Sequence, residues 1–399
     1  MPWKEQSKVE SRKAFVRDYE SGLYSMTELC WEYGISRQTG HKTLRKYQDG
    51  GESALLDKSR APHHIPHKTD AWMERELCEL RRRHPSWGPK KLREVFERQH
   101  PGWVAPSEST LGDILKRNGL VKSKPRRSRT RPPHQAPVVH SEHPNDVWTM
   151  DYKGEFRLGN RQYCYPLTTM DLMSRYLLGC VGRRATDLDG TQRSLEKLFI
   201  DCGLPLAVLH DGGPPFASNA IGGLSRLSVW LIRLGIEVLI TQPASPWQNG
   251  AHERMHRTLK QETARPPKAS FGAQQRCFDR FRQEFNQLRP HEALNMETPA
   301  TRYRPSPKSY PAKLPKLQYP GHFEVRLVSS SGHIKLRGHD IFLSRVFAQD
   351  LVGLEEVEDA IWAISFGPVH LGKFSERKGK LIAPARSRPK RYSRSELDI

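Results

Sequence analysis

The chain has 399 residues, enough for several domains and a sizeable core, and carries 65 Lys and Arg against 44 Asp and Glu, a net charge of +21. That excess points to a polyanionic partner, most simply nucleic acid, and makes an anionic membrane surface the weaker explanation. No apolar run approaches the length of a membrane span and MPWKEQSKVESRK lacks the apolar core of a signal peptide, so the expectation is a cytoplasmic protein with no membrane partner.

Residues 10 to 48 read as three short helices. The first surrounds Ala14, Phe15 and Tyr19; SMTELCWEYGIS supplies a second helix and a turn at Gly34; Ser36 can N-cap a third, RQTGHKTLRKYQ. Helix, glycine turn and basic helix make the helix-turn-helix pattern, in which the last helix enters the major groove. Residues 1–60 are therefore expected to bind DNA, with Arg37, Gln38, His41, Lys42 and Arg45 turned toward it. The plainer alternative is a helical bundle with a basic face. HHIPH, at 63 to 67, has no cysteine nearby and is broken by Pro62 and Pro66, so it reads as a solvated linker and not as a metal site. The six cysteines (30, 78, 164, 180, 202, 277) are scattered, form no C-x-x-C pair and read as buried thiols of a reducing compartment.

A second helix-turn-helix-like unit is expected over 65–120, from DAWMERELCELRRRHP, WGPKKLREVFERQH and TLGDILKRNGL, the last capped by Ser107 or Ser109. Residues 121–143 combine proline with Lys122, Lys124, Arg126, Arg127, Arg129 and Arg131. They cannot pack a core. They form either an extended linker lying along phosphates, with Arg126 and Arg127 as DNA contacts, or a simple tether.

From 144 to 306 the texture is α/β. DVWTMDYKGEF, RQYCYPLTTMDL and RYLLGCVGR read as three successive strands, the first two joined by a turn at Gly159-Asn160. Helix DGTQRSLEKLFIDCG, strand LAVLHD, helix LSRLSVWLIRLG, strand IEVLITQ and the helix of QNGAHERMHRTLKQE follow, which predicts a mixed sheet covered by helices. Residues 315–378 look like a small all-β barrel, and 379–399 like a basic disordered tail. The fold class is thus multidomain: all-α helix-turn-helix units, an α/β core and a small C-terminal all-β barrel.

Three acids stand where elements of the α/β core begin or end. Asp151 follows Trp148 in the first strand, Asp211 ends LAVLH and opens the loop DGGPPF, and Glu253 starts the last helix just after the turn pair Asn249-Gly250. Converging carboxylates would repel one another unless a cation sits between them, and hard oxygen ligands suit Mg²⁺. Two such ions can activate an attacking oxygen and stabilise a leaving one. Each acid also has an ordinary reading: an edge-strand residue, a turn former, and a first-turn acid pairing with Arg257 at i+4.

VWTMDYKG, LHDGGPPFAS, LSRLSVWLIRLGI, PWQNGAHERMHRTLKQE and FNQLRPHEALNMETPATRYRPS together resemble the integrase catalytic core of bacterial insertion-sequence transposases of the DDE type, relatives of retroviral integrases. The resemblance extends to the helix-turn-helix units and to VGLEEVEDAIWAISFGPVHLGKF. It implies an RNase H-like core whose catalytic and metal-binding acids are Asp151, Asp211 and Glu253, with Mg²⁺ or substituting Mn²⁺ as cofactor. It further implies that Arg257 and Lys260 hold the element's DNA end. Gly212 and Asn249 stand beside the acids as candidate supports of the metal ligands; where the family usually carries Asp-Asn-Gly, this chain has Asp211-Gly212-Gly213.

The activity so implied is that of a transposase that binds its element's terminal inverted repeats as double-stranded DNA. It cuts their strands with a metal-activated water and joins the freed 3′-hydroxyl to target DNA, working as a homodimer or homotetramer. A descendant that only occupies or represses the repeats is the alternative. A ribonuclease of RNA–DNA hybrids is a third reading, opposed by two units built to read a major groove.

Overall fold

In the computed structural model, residues 7–57, 68–121, 139, 141–216, 218, 220–241 and 249–382 are described, and they fall into two compact units, Met1–Thr69 and Asp70–Ile399. Arg126, Arg127, the HHIPH stretch and most of the expected basic linker and tail lie outside the described residues.

The first unit holds α1 (Lys8–Glu20), α2 (Met26–Glu32) and α3 (Arg37–Gly50). Ser7 and Ser25 each close a capping box with the Glu three residues on, and Ser36 caps α3 by accepting from Thr39 N–H. Phe15, Val16, Leu29, Cys30, Leu44 and Leu55 make the core. Gly40 lets α3 approach closely, since a Cβ there would stand 2.7 Å from Cys30 Sγ and 2.9 Å from Met26 Sδ.

The second unit begins with α4 (Ala71–Arg83), α5 (Pro89–Gln99) and α6 (Glu108–Arg117), the last capped by Ser107. Their apolar stripes meet in a core of Met73, Leu77, Leu80, Trp87, Leu92, Phe96, Leu111 and Leu115. The helices rest on the α/β core. Arg289 reaches Glu262 at 3.1 Å and Ser86 at 3.5 Å, and Arg98 donates to the Met296 carbonyl at 2.7 Å.

The α/β core comprises β1 (Val147–Tyr152), β2 (Phe156–Arg157), β3 (Tyr163–Asp171), β4 (Leu177–Arg183), α7 (Leu188–Cys202), β5 (Ala207–His210), α8 (Arg226–Arg233), β6 (Glu237–Ile240), α9 (Gly250–Thr263), α10 (Phe271–Gln287) and α11 (Pro299–Arg302). β1 and β3 are antiparallel, β4 lies antiparallel on the other side of β3, and β1, β5 and β6 run parallel, the RNase H-like arrangement. The expected first strand divides in two, because Lys153, Gly154 and Glu155 interrupt it between β1 and β2. Helix α10 was not anticipated; it sets Phe278, Phe281 and Phe285 against Met170, Leu177 and Met255.

The C-terminal part is all-β. It consists of β7 (Glu324–Leu327), β8 (His333–Leu336), β9 (His339–Phe342), β10 (Leu351–Glu358), β11 (Ile361–Phe366), β12 (Val369–Ser375) and β13 (Lys380–Ile382). Five strands form one antiparallel sheet, β8 and β9 a ribbon, and both enclose one core that includes Ile334, Leu336, Val352, Ile364 and Phe374. β13 carries this part past the boundary expected at 378. Helix α8 explains its all-round apolarity here: Leu227, Trp230 and Leu231 face the α/β core while Val229 and Ile232 face the β core. The cysteines are all free and, apart from half-buried Cys202, buried.

Candidate active site

Strand periodicity decides which side chains of β1 share a face. Trp148, Met150 and Tyr152 turn into the large core with Phe199 and Trp230, so Thr149 and Asp151 turn the other way, toward α9. β1 and β5 are parallel with Thr149 opposite Leu209, so Asp151 and Asp211 follow that pair by two residues each and stand side by side. Helix α9 buries His252, Met255, His256, Leu259 and Thr263, and leaves Glu253, Arg254, Arg257 and Lys260 exposed.

Asp211 and Glu253 both act electrostatically on Asp151, but among the described residues the ligand atoms within 4.8 Å of one another belong to Asp151, His252 and His256 and not to the three acids. Burial first, then the charge of Asp211 and also that of Glu253, push the Asp151 carboxyl up to about 7, against a lowering pull from Lys153. Among the described residues, neither Asp211 nor Glu253 is in an ion pair, and the i, i+4 pair of Glu253 with Arg257 does not form. Asp171, a fourth acid nearby in sequence, is accounted for by structure alone: it is buried and accepts from Asn145 N–H and from the Ser174 N–H and hydroxyl.

Of these acids, Asp151 meets a further group that the sequence spacing did not single out. His256 Nδ1 lies 3.5 Å from Asp151 Oδ2, and Thr168, paired with Asp151 across the β1–β3 ladder, contacts both His252 and His256. Burial lowers His252 to about 3 and His256 to about 2, so both rings are neutral and the Asp151 contact is not an ion pair. Ligand atoms of Asp151, His252 and His256 lie within 4.8 Å of one another, a grouping able to hold a metal ion. The signal was present in the sequence as an i, i+4 histidine pair flanking Glu253.

Gly212 has φ +79 and donates its N–H to His210 Nδ1 at 3.1 Å, which stiffens the turn beside Asp211. Burial lowers His210 to about 4, and among the described residues its Nε2 has no partner. Asn249 stands at the N-cap position of α9, buried, and among the described residues its Oδ1 has no partner and its side chain makes no capping bond. Far along the chain, Arg37, Gln38, His41, Lys42 and Arg45 are exposed on one side of α3, while Gly40, Thr43 and Leu44 face inward. Among the described residues, no helix is long and apolar enough to cross a membrane.

Known proteins match in the same places. Two family models described as integrase core domain match residues 141–246 and 234–299; a helix-turn-helix domain matches 11–63 and a homeodomain-like domain 39–115. The insertion element IS476 uncharacterized 39.2 kDa protein of Xanthomonas euvesicatoria is 25% identical over 59% of this chain and 66% of its own length, just under two thirds. The insertion element IS407 uncharacterized 31.7 kDa protein of Burkholderia multivorans is 26% identical over 62% of this chain and 87% of its own. A Gag-Pol polyprotein of baboon endogenous virus is 28% identical over 44% of this chain and 10% of its own. Among solved structures, the HTLV-2 integrase catalytic core domain in complex with magnesium aligns with TM-score 0.33 and 15% identity, covering 41% of this chain and all of that one (100%). A simian T-cell lymphotropic virus intasome aligns with TM-score 0.35 and 16% identity, covering 74% and 97%. Integrase core matches preceded by helix-turn-helix matches indicate a DNA-binding chain. Integrase core domain models thus match residues 141–299 of this chain, and two insertion-element proteins are related to it at 25% and 26% identity.

Proposed function

We propose that this protein binds the terminal inverted repeats of its own insertion sequence and catalyses strand cleavage there, followed by strand transfer into target DNA. The observation that carries the reading is that the charges of Asp211 and Glu253 both act on a half-buried Asp151 and help it retain its proton. Such a donor set fits a hard divalent cation, Mg²⁺ or Mn²⁺, which would relieve the repulsion; Asp151, Asp211 and Glu253 would hold it. When bound, the metal supplies Lewis acidity at the scissile phosphate and lowers the pKa of the attacking hydroxyl.

The chain's own groups do the rest. Lys153 and the exposed cations of α9 offset phosphate charge at the site, with Arg257 and Lys260 holding the backbone of the DNA end. The exposed side of α3, led by Arg37, Gln38, His41, Lys42 and Arg45, selects the repeat. Pairing two element ends requires two or four protomers. The test is direct: Asp151→Asn, Asp211→Asn and Glu253→Gln should each abolish Mg²⁺-dependent cleavage of labelled repeat DNA and leave binding intact. Near wild-type cleavage by any of them removes that residue from the site. The second reading, a repeat-binding protein with weakened catalysis, is favoured by one feature, Gly212 in place of asparagine. It predicts repeat binding with only residual cleavage at every metal concentration.

A further inference from the structure

Behind Asp151 runs a line of buried polar side chains. Thr149 Oγ1 lies 2.7 Å from His252 Nδ1, and His252 Nε2 lies 2.7 Å from Thr168 Oγ1. Thr168 Oγ1 lies 2.6 Å from His256 Nε2, and His256 Nδ1 completes the line at 3.5 Å from Asp151 Oδ2. All four residues before Asp151 are buried. We propose that Thr149, His252, Thr168 and His256 form a one-way hydrogen-bond relay that orients the Asp151 carboxylate toward a divalent cation, with His256 as the positioning residue. The proposal rests on the metal-site reading above.

Proton accounting sets the direction. A carboxylate that binds a cation is ionised and can only accept, so His256 must turn Nδ1–H toward it. The neutral ring then offers Nε2 as an acceptor, and the Thr168 hydroxyl fills it. With its one proton so used, Thr168 accepts Nε2–H of His252, whose Nδ1 accepts the Thr149 hydroxyl. Each hydroxyl also lies near a strand carbonyl, Thr168 at 3.0 Å from that of Asp151 and Thr149 at 3.1 Å from that of Met170. The relay requires both hydroxyls to turn their protons from these carbonyls to the imidazoles, whose contacts are the shorter ones. In the opposite direction His256 would aim a lone pair at an anionic oxygen. A transition metal shared by Asp151, His252 and His256 is the rival account, and it would have to displace a 2.7 Å hydroxyl contact of His252. The 3.5 Å separation is longer than a hydrogen bond, as is common before a metal and substrate draw a site together.

The experiment titrates the full chain with Mn²⁺ in the absence of DNA, following free Mn²⁺ by electron paramagnetic resonance. Partners that orient metal ligands change affinity by about 10- to 100-fold, so His256→Gln and Thr168→Val should each raise half-saturating Mn²⁺ by about tenfold or more. His256→Asn, whose amide N–H stands near the Nδ1 position, should lose less. A purely structural role would lower the melting temperature without moving half-saturation in the folded protein. Unchanged half-saturation in both Thr168→Val and His256→Gln overturns the relay. Tight Zn²⁺ binding that both His252→Asn and His256→Asn abolish overturns it in favour of the histidine metal site. A wild-type chain that takes up neither Mn²⁺ nor Mg²⁺ overturns the metal-site reading itself, a different failure. Should the variants not fold, ring nitrogen NMR of the wild type in saturating Mg²⁺ decides. Nδ1–H at His256 with Nε2–H at His252 supports the relay, and the reverse tautomers sink it.

Discussion

Asp151 is held from its ordinary 3.8 up to about 7 by burial and by its acidic neighbours, so the folded, metal-free chain keeps a proton that the unfolded chain has lost. Between about pH 4 and pH 7 the folded state therefore binds more protons, and this group's contribution to stability falls as pH rises through that window. Asp151→Asn removes the conflict. Its metal-free unfolding free energy at neutral pH should exceed that of the wild type by on the order of 1–4 kcal/mol, a margin that vanishes below about pH 4 and shows as a higher melting temperature. Thermal scans across pH check this, and a variant no more stable than wild type at neutral pH would count against it. Mg²⁺ should reverse the order, stabilising only the wild type. Gly212 poses the opposite case, a backbone demand: φ is +79, a region glycine adopts freely and asparagine tolerates, and a Cβ would meet Ile240 Cγ2 at 3.1 Å. Gly212→Asn should fold and raise cleavage by about tenfold or more if glycine weakens the site, whereas an unchanged rate would show that the loop works equally well with glycine. The acids were legible in the sequence because each interrupts an apolar strand or opens a helix. His252 and His256 were not, because on a basic helix an i, i+4 histidine pair looks like part of the solvated face.

Helix α9 shows how one element serves two purposes through its period. His252, Met255, His256, Leu259 and Thr263 face inward, while Glu253, Arg257 and Lys260 line the outside, a split that the sequence spacing already contained for the outer set. Because Arg257 and Lys260 have no partner among the described residues, they are available to phosphate. Replacing both by alanine should shrink the slope of log K against log salt by roughly two units and leave the melting temperature nearly unchanged. A large fall in melting temperature with an unaltered slope would mean that this face supports the fold. The helix-turn-helix elements were equally readable, since serine caps and a glycine turn fix their ends locally. Helix α10 was missed although its Phe278, Phe281 and Phe285 repeat at helical spacing. It lies beyond the candidate acids, and its partner surface, β4, is remote in sequence.

At the scale of the whole chain, the question is which segments can be removed without exposing charge. The composition change near residue 144 suggests that a core beginning there could stand alone, yet the compact second unit begins at Asp70 and includes α4 to α6. Arg289 explains the difference. It is buried, with Glu262 at 3.1 Å and Ser86 from the α4–α5 connection at 3.5 Å beside it. Arg98, on α5, spends its guanidinium on the Met296 carbonyl. Deleting residues 1–69 cuts none of these bonds, so that truncation should keep its cooperative melting and its response to Mg²⁺, while losing preference for repeat over random DNA. Deleting residues 1–120 uncovers Arg289 and Glu262 and removes the surface covering them. A partly buried ion pair that loses its cover and a hydrogen-bond partner should cost on the order of 1–3 kcal/mol, before any apolar area is counted. The longer deletion should therefore melt several degrees lower than the shorter one. Differential scanning calorimetry of the two truncations, with competition binding to repeat and random DNA, checks both halves. Equal melting temperatures would show that α4 to α6 lend the core no stability, and full discrimination by the 70–399 chain would move repeat selection away from α3.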